Sequence, residues 1–296
     1  MRIVKVNKDS IANILSDLLK RSPTNYGDFQ DKVDAIIKNV RDNGDKAVFD
    51  YTAQFDKAEI NADNILVTEE EIKEAYEEVD DELIKVIRKA IKNIRDFHEK
   101  QIQKSWFETR EDGVMLGQKV TPMETCGVYV PGGKAVYPSS VLMNIVPAHV
   151  AGVKNIIMTT PPGKDGKVTA NTLVAAKEAG ATKVYKVGGA QAIAAMAFGT
   201  ESIPKVDKIV GPGNIFVALA KKAVYGNVSI DSIAGPSEIL VLADETANPR
   251  YVAADLLSQA EHDELASAIL VTTSMDLAKK VSEYTDMFVS KLSRKA

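Results

Sequence analysis

The sequence predicts an α/β fold in which parallel strands form a doubly wound sheet with helices on both faces. Residues 1–113 are charged and helix-periodic, whereas from residue 114 the chain consists of short apolar runs that end in glycine or proline. Each of these runs is followed by a helix-periodic segment. Repeated strand–turn–helix units favour parallel strands joined by right-handed crossovers.

The first 113 residues predict a helical N-terminal region. Between residues 72 and 104, apolar side chains recur at helical spacing, and most positions between them are Glu, Asp, Lys or Arg. This periodicity is typical of helical sequence with one buried stripe and a solvated opposite face. We interpret the region as scaffold without chemistry of its own.

The middle of the chain supplies the strand–turn–helix units. Each predicted strand is a short apolar run, and each predicted helix follows a turn rich in glycine or proline. Gly180 stands where a helix C-cap in the left-handed conformation is expected. In chain order, the predicted elements are strand 127–130, helix 140–151, strand 155–159, helix 171–179, strand 183–187, helix 191–198, strand 208–210 and helix 214–224.

The last part of the chain continues the pattern with different spacing. Residues 238–243 (EILVLA) predict a buried strand. Asn248-Pro249 predicts a helix start, because asparagine is a favoured N-cap and proline is tolerated in the first turn. This helix is expected to continue to about residue 265. A strand at 268–272 and an amphipathic helix at 276–292 follow.

Composition restricts the class of protein. The 296 residues include 37 basic and 41 acidic side chains, for a net charge of −4, and 45% are hydrophobic. This is a globular composition, and its charge gives no electrostatic reason to expect nucleic acid or a membrane as partner. A single cysteine, Cys126, excludes an internal disulfide framework and a zinc site of paired thiolates. No apolar run approaches the ~20 residues of a membrane span, and the N-terminus does not resemble a secretory signal, so we expect a cytoplasmic protein.

Three glycine-rich turns follow predicted strands, at residues 131–133, 188–191 and 211–214. Ligands of open parallel sheets gather at the carboxyl ends of strands, where glycine lets the backbone approach a phosphate and helix N-termini present free N–H groups. Gln191 and Asn214 follow two of these turns as side chains able to hydrogen-bond a ribose or an amide. Because no turn has the G-x-G-x-x-G pattern, plain tight turns remain the alternative to a nucleotide site.

Gln259 and His262 lie three residues apart on the helix predicted to start at residue 249. This spacing puts both side chains on one face of the helix. An imidazole nitrogen is a common zinc ligand, and an amide oxygen is a rarer one. The pair therefore allows a metal site, while an ordinary exposed helix face remains the alternative.

Five segments taken together resemble the histidinol dehydrogenase family. They are residues 127–133 (GVYVPGG), 187–191 (VGGAQ), 208–214 (KIVGPGN), 234–238 (AGPSE) and 255–263 (DLLSQAEHD). The resemblance extends along the whole chain in the same order, and it implies two incomplete Rossmann-like domains, one inserted in the other. The implied domains are a discontinuous one of residues 1–125 and 235–296, and an inserted, nucleotide-side one of residues 126–234.

The resemblance also implies an activity. Members of this family are zinc-dependent, NAD-linked enzymes that oxidise L-histidinol through an aldehyde to L-histidine, at the end of histidine biosynthesis. Matched to the pattern of the family, Tyr129, Gln191 and Asn214 are expected to contact NAD. A homodimer is expected on the same ground.

The substrate and metal contacts expected from the resemblance lie near the end of the chain. Ser237 is expected to contact L-histidinol, and Gln259 and His262 are expected to bind both Zn²⁺ and the substrate. The Glu-His acid/base pair of the family and two further zinc ligands are expected beyond residue 296, so no catalytic residue is assigned within this chain. Because zinc sites normally have at least three protein ligands, we expect weak zinc binding and little dehydrogenase activity from these 296 residues.

Two other functions remain open on the sequence. One is a non-catalytic remnant that retains a nucleotide-binding or dimerisation surface. The other is an aldehyde dehydrogenase with a cysteine nucleophile, for which Cys126 is the only candidate. A small buried residue is the simpler interpretation of Cys126.

Overall fold

The computed structural model describes residues 1–7, 16, 27–132, 138–233, 238–261 and 266–292. The chain divides into two compact units, one of Met1–Tyr26 with Ala234–Ala296 and one of Gly27–Ile233. The larger unit contains the residues predicted to contact NAD, and the smaller unit contains Gln259.

The larger unit begins with helices: α1 (Gly27–Phe55), α2 (Glu69–Glu78) and α3 (Asp81–His98). The apolar periodicity of residues 72–104 is therefore divided between α2 and α3. The chain leaves the helical conformation at Val79 and Asp80, and the Asp80 carboxylate accepts a hydrogen bond from the Glu82 N–H at 2.8 Å. The N-cap at Asp80 therefore starts a new helix, although the apolar spacing of residues 72–104 continues without a break.

An antiparallel hairpin follows, formed by β1 (Trp106–Thr109) and β2 (Met115–Gln118). The interpretation of everything up to residue 113 as helical is wrong at this hairpin. Every residue of both strands is exposed. A half-buried strand is recognised in a sequence by the alternation of apolar and polar side chains. These two strands have no buried face, so their sequences do not alternate in this way.

The sheet of the larger unit has five strands, all parallel to their neighbours. Its spatial order is β5-β4-β3-β6-β7. This confirms the predicted parallel α/β sheet, with strand boundaries that differ by a few residues from the predicted ones. The strands are β3 (Thr125–Tyr129), β4 (Asn155–Thr160), β5 (Lys183–Lys186), β6 (Lys208–Val210) and β7 (Ser229–Ile230).

Helices lie on both faces of this sheet: α4 (Pro138–Val150), α5 (Ala170–Ala179), α6 (Gly189–Phe198) and α7 (Ile215–Val224). Helix α5 ends at Gly180, whose φ of 92° is the predicted left-handed C-cap. Cys126 and Val128 of β3 share a core with residues of α2 to α5. The alternate position, Gly127, faces the other side, where a Cβ would meet Met196 of α6.

The grouping of the N-terminal helices differs from the predicted domain division, which placed residues 1–125 with 235–296 and residues 126–234 alone. In the structure α1 packs against α6 and α7, while α2 and α3 pack against α4 and α5. The sheet needs apolar cover on both faces, and these helices complete it. Helices α1 to α3 therefore belong to the same compact unit as the sheet.

The smaller unit contains a parallel pair of strands, β8 (Glu238–Ala243) and β9 (Ser267–Thr272), and the helices α8 (Pro249–Ala260) and α9 (Met275–Val289). The predicted start of α8 is confirmed, because Asn248 Oδ1 accepts a hydrogen bond from the Arg250 N–H at 3.0 Å. None of the helices in the described ranges is long and apolar enough to cross a membrane.

The prediction that strand β8 is buried is wrong for one of its faces. Ile239 and Val241 pack with the helices of the smaller unit. Leu240 and Leu242 point the other way and are 63% and 77% exposed. An uninterrupted apolar run such as EILVLA is typical of a strand covered on both faces, but it does not itself determine what covers each face.

Candidate active site

The loops after β3, β4 and β5 meet at Pro161, at the carboxyl edge of the larger sheet. A Cβ on Gly132, after β3, would lie 2.6 Å from Cγ of Pro161. A Cβ on Gly188, after β5, would lie 2.5 Å from Cβ of the same proline. Any larger residue at either position would separate the loops, so these glycines allow the three strand ends to form one surface.

The loop after β6 reaches the same edge from the other side. Gly211 has a φ of 117°, and a Cβ there would overlap the carbonyl oxygen of Tyr129 at the end of β3. The chain builds β3, β4 and β5 in one direction and then returns to place β6 on the opposite side of β3. The edge between β3 and β6 is therefore the switch point, where ligands of doubly wound sheets bind.

An ion pair between a buried lysine and a partly exposed aspartate fixes the Gly211 loop. The Lys221 ammonium, on α7, pairs with the Asp231 carboxylate and donates a hydrogen bond to the Gly211 carbonyl oxygen at 2.9 Å. Asp231 Oδ2 accepts a hydrogen bond from the Gly211 N–H at 2.8 Å. Both polar groups of the Gly211 backbone are thus held by side chains from other elements. The strand and turn patterns do not indicate this pair, although a lysine within an apolar helix is a sequence signal for it.

Replacing Asp231 with asparagine is expected to lower the free energy of unfolding by about 2–3 kcal/mol, because it leaves the Lys221 charge buried without its counter-ion. The expected loss is smaller than for a fully buried pair, since the Asp231 side chain is 32% exposed. Urea unfolding measures the effect. Asp276→Asn breaks an exposed ion pair with Lys280 and serves as the matched control, with an expected loss of about 0.5 kcal/mol or less.

A second replacement separates the ion pair from other effects. Adding Lys221→Met to Asp231→Asn should recover most of the lost stability, because the buried charge is then removed. If Asp231→Asn unfolds like the parent protein, the ion pair does not hold the loop.

Tyr129 and Gln191 occupy the centre of this edge. Tyr129 is 3% exposed, and its hydroxyl oxygen accepts a hydrogen bond from the Gly189 N–H at 3.1 Å. Burial raises the pKa of Tyr129 to about 12, so the phenol stays protonated near neutral pH and keeps its own O–H to donate. The hydrogen bond from the Gly189 N–H to the Tyr129 hydroxyl connects the first turn of α6 to the end of β3.

Gln191 lies in the first turn of α6, and the environment of its side chain is unusual. It is 1% exposed, and neither its Oε1 nor its Nε2 has a hydrogen-bond partner among the described residues. The side chain folds back over Gly189, where a Cβ would lie 2.6 Å from Oε1. A buried amide without partners is costly, so this side chain suits a polar ligand that supplies both a donor and an acceptor.

Asn214 lies beside the same edge but has a structural task. It is the N-cap of α7, and its Oδ1 accepts a hydrogen bond from the Val217 N–H at 3.2 Å. The side chain is exposed, at the end of the loop that begins with Gly211. The structure thus brings Tyr129, Gln191 and the Asn214 turn to one edge, as the sequence predicts for strand ends.

Cys126 lies at the opposite, amino end of β3 and is buried. Burial raises the pKa of its thiol to about 11, although the nearby Lys208 charge acts in the other direction. The thiol is therefore protonated near neutral pH, whereas a cysteine nucleophile needs a thiolate. This geometry counts against the aldehyde dehydrogenase alternative.

Of the residues predicted to bind zinc and substrate, Gln259 is described and is half-buried in the last turn of α8. His262 and Ser237 lie outside the described residues. Within the ranges that are described, no group of three or more His, Cys, Asp or Glu side chains could hold a metal ion. The Gln259–His262 metal site remains a prediction.

Comparison with known proteins gives one consistent family. A sequence profile described as histidinol dehydrogenase matches residues 19–296. Histidinol dehydrogenase of Halalkalibacterium halodurans is 55% identical over 296 residues, which are 100% of this chain and 68% of that protein. The Bacillus subtilis enzyme is 58% identical over 293 residues (99% and 68%), and that of Clostridium acetobutylicum is 62% identical over 260 residues (88% and 60%).

A solved structure agrees with these relatives. The crystal structure of histidinol dehydrogenase from Elizabethkingia anophelis has a TM-score of 0.83 and 40% identity to this chain. The match covers 100% of this chain and 64% of that one. The chain thus spans about two thirds of the length of the proteins it matches.

Proposed function

This chain belongs to the histidinol dehydrogenase family, and we propose that it serves the zinc-dependent, NAD-linked oxidation of L-histidinol to L-histidine through the aldehyde. The proposal is supported by relatives that bear the name histidinol dehydrogenase. The observation that carries the NAD assignment is Gln191, whose buried amide lacks partners among the described residues at the switch point of the sheet.

The residues at this edge fit a dinucleotide. The Gln191 amide would form hydrogen bonds with polar groups of NAD, and the Tyr129 hydroxyl would donate one. Gly132, Gly188 and Gly211 carry no Cβ, so the loops at these strand ends can pack closely enough to form one surface for the ligand. NAD, when bound, accepts the hydride removed from the substrate.

For the substrate and metal we propose Ser237 as a contact of L-histidinol, and Gln259 and His262 as ligands of Zn²⁺ that also face the substrate. The support is their place in the segments that resemble the family. The predicted continuation of α8 to about residue 265 is not observed, because the described helix ends at Ala260, so helical spacing is not part of this support. Zn²⁺, when bound, would orient the substrate for hydride transfer. We assign no general acid or base to residues of this chain, and the homodimer remains a prediction.

The proposed function is tested by two measurements on the same protein. Calorimetric titration with NAD should show binding, and the absorbance of NADH should report turnover of L-histidinol with added Zn²⁺. NAD binding with only weak turnover is the expected result for the 296 residues, with higher turnover from a chain extended to the length of its relatives. If the protein fails to bind NAD, the proposal is wrong. Full activity from the 296 residues would contradict the expectation of weak turnover.

His262→Asn, made in a chain extended to the length of its relatives, is expected to reduce zinc content by at least about tenfold with the fold intact. The reason is that the amide cannot replace the imidazole nitrogen as a strong zinc ligand. Elemental analysis of the dialysed protein measures the content. His149→Asn is the control, because His149 is not one of the proposed zinc ligands. Its Nε2 contacts the Gly180 carbonyl oxygen at the end of α5. Zinc content that is the same in both variants would refute the ligand role.

A further inference from the structure

Asp56 follows the last residue of α1 and has a buried carboxylate oxygen. Its Oδ2 makes no hydrogen bond within the described part of the chain. The other described side-chain atoms in this condition are Oε1 and Nε2 of Gln191. Unpaired buried polar atoms are rare in folded proteins, so their occurrence on two residues calls for a common explanation.

Helix packing places Asp56 near the first turn of α6. The Asp45 N–H donates to the Glu201 carboxylate at 2.8 Å, and the Ser202 N–H donates to the Asp45 carboxylate at 3.2 Å. Asp45 in α1 therefore lies beside the C-terminal end of α6, and α1 packs along that helix. From Asp45 to Asp56 a helix advances about 16 Å, which matches the length of α6 at about 1.5 Å per residue.

The electrostatics agree with this placement. The Asp56 charge contributes to raising the pKa of Tyr129, whose hydroxyl oxygen accepts the hydrogen bond from Gly189. The Asp56 carboxylate therefore lies within electrostatic range of Tyr129. The neighbouring Lys57 directs its ammonium to the Gln54 carbonyl oxygen at 2.7 Å. Asp56 and Gln191, the two residues with unpaired buried atoms among those described, are thus both connected to Tyr129: Asp56 through its charge, and Gln191 through the first turn of α6, whose Gly189 N–H donates to the Tyr129 hydroxyl.

We propose that Asp56 is a further cofactor-binding residue, whose carboxylate accepts hydrogen bonds from ribose hydroxyl groups of the dinucleotide held by Gln191. The inference rests on the proposed function. A carboxylate offers only acceptors, so its ligand group must be a donor, and its charge disfavours a phosphate at the same place. The hydroxyl groups of a ribose satisfy both conditions, because they are donors and carry no negative charge. In other dinucleotide sites an acidic residue likewise forms hydrogen bonds with the ribose.

The free protein carries this carboxylate at a cost. Burial raises the pKa of the Asp56 carboxyl from 3.8 to about 6. The folded state therefore holds the proton more tightly than the unfolded state, so the ionised group reduces stability above about pH 6 and has no such effect below pH 3.8.

Asp56→Asn is the test. We expect the Kd for NAD to rise about 10–100-fold, through loss of charge-assisted hydrogen bonds. In the absence of NAD, the Tm at pH 8 should rise by at least about 3 °C, and this gain should disappear near pH 4. Calorimetric titration and thermal unfolding measure these quantities. Asp50→Asn is the matched control, since Asp50 is an exposed carboxylate on α1, and it should leave the Kd unchanged.

The outcomes separate the two proposals. If the parent protein does not bind NAD, both the proposed function and the role of Asp56 are wrong. If the parent binds NAD and Asp56→Asn binds it within about twofold as well, only the role of Asp56 is overturned. Weaker NAD binding together with a lower Tm at pH 8 would indicate a structural role and would also overturn it.

Discussion

Replacing Gln191 with methionine is expected to raise the Kd for NAD at least about tenfold while making the free protein more stable by about 1–3 kcal/mol. The substitution nearly conserves volume, so the core around α6 should remain filled. It removes two buried polar atoms that have no partners among the described residues. Because no described residue pairs with the amide, we expect it to be unfavourable in the free protein and to gain its partners from a ligand.

Calorimetric titration with NAD and urea unfolding measure the two effects of Gln191→Met. Gln118→Met is the control, because Gln118 is exposed in β2, and neither quantity should change. In a chain with turnover, Gln191→Ala should raise the KM for NAD more than the KM for L-histidinol. Unchanged NAD affinity, or a loss of stability in Gln191→Met, would contradict the assignment of this side chain to the cofactor.

Replacing Gly211 with alanine is expected to lower the free energy of unfolding by about 3–5 kcal/mol and to weaken NAD binding. Two effects add at this position. The φ of 117° is unfavourable for any residue with a Cβ, and the added methyl group would overlap the Tyr129 carbonyl oxygen. Because that oxygen belongs to the backbone of β3, it cannot move without disturbing the sheet.

Gly226→Ala is the matched control for Gly211→Ala. Gly226 has a φ of 101°, but a Cβ there would have no atom within 4 Å. The free energy of unfolding of Gly226→Ala is therefore expected to fall only by the cost of the backbone conformation, about 1–2 kcal/mol. Urea unfolding of both variants measures the difference. Equal losses would show that the approach of Gly211 to Tyr129 is not what requires a glycine.

The candidate site could be predicted from the sequence only in part. The glycine turns, with Tyr129 and Gln191 beside them, were located because short apolar runs that end in glycine are a local pattern. The residues that fix or complete the site were not located. Lys221 and Asp231 meet across different elements, and Asp56 comes near α6 only because α1 packs along that helix.

The errors in the fold have the same origin. The break before Asp80 depends on a single cap, and the exposed hairpin of β1 and β2 has no burial pattern. The exposed face of β8 depends on which elements cover it, as Leu240 and Leu242 show. Apolar spacing reports that a side chain prefers burial, but it does not report what buries it.

By itself, the sequence determined the parallel α/β architecture, the places of the turns at the strand ends and the family, because these follow from residue types at short, regular spacing. Only the tertiary structure decided that Gly211 touches Tyr129, that the Gln191 amide is buried without described partners, and that the helices α1 to α3 complete the sheet. Contacts of this kind join residues far apart in the chain. Their energies depend on close packing in three dimensions, which no local pattern of residues records.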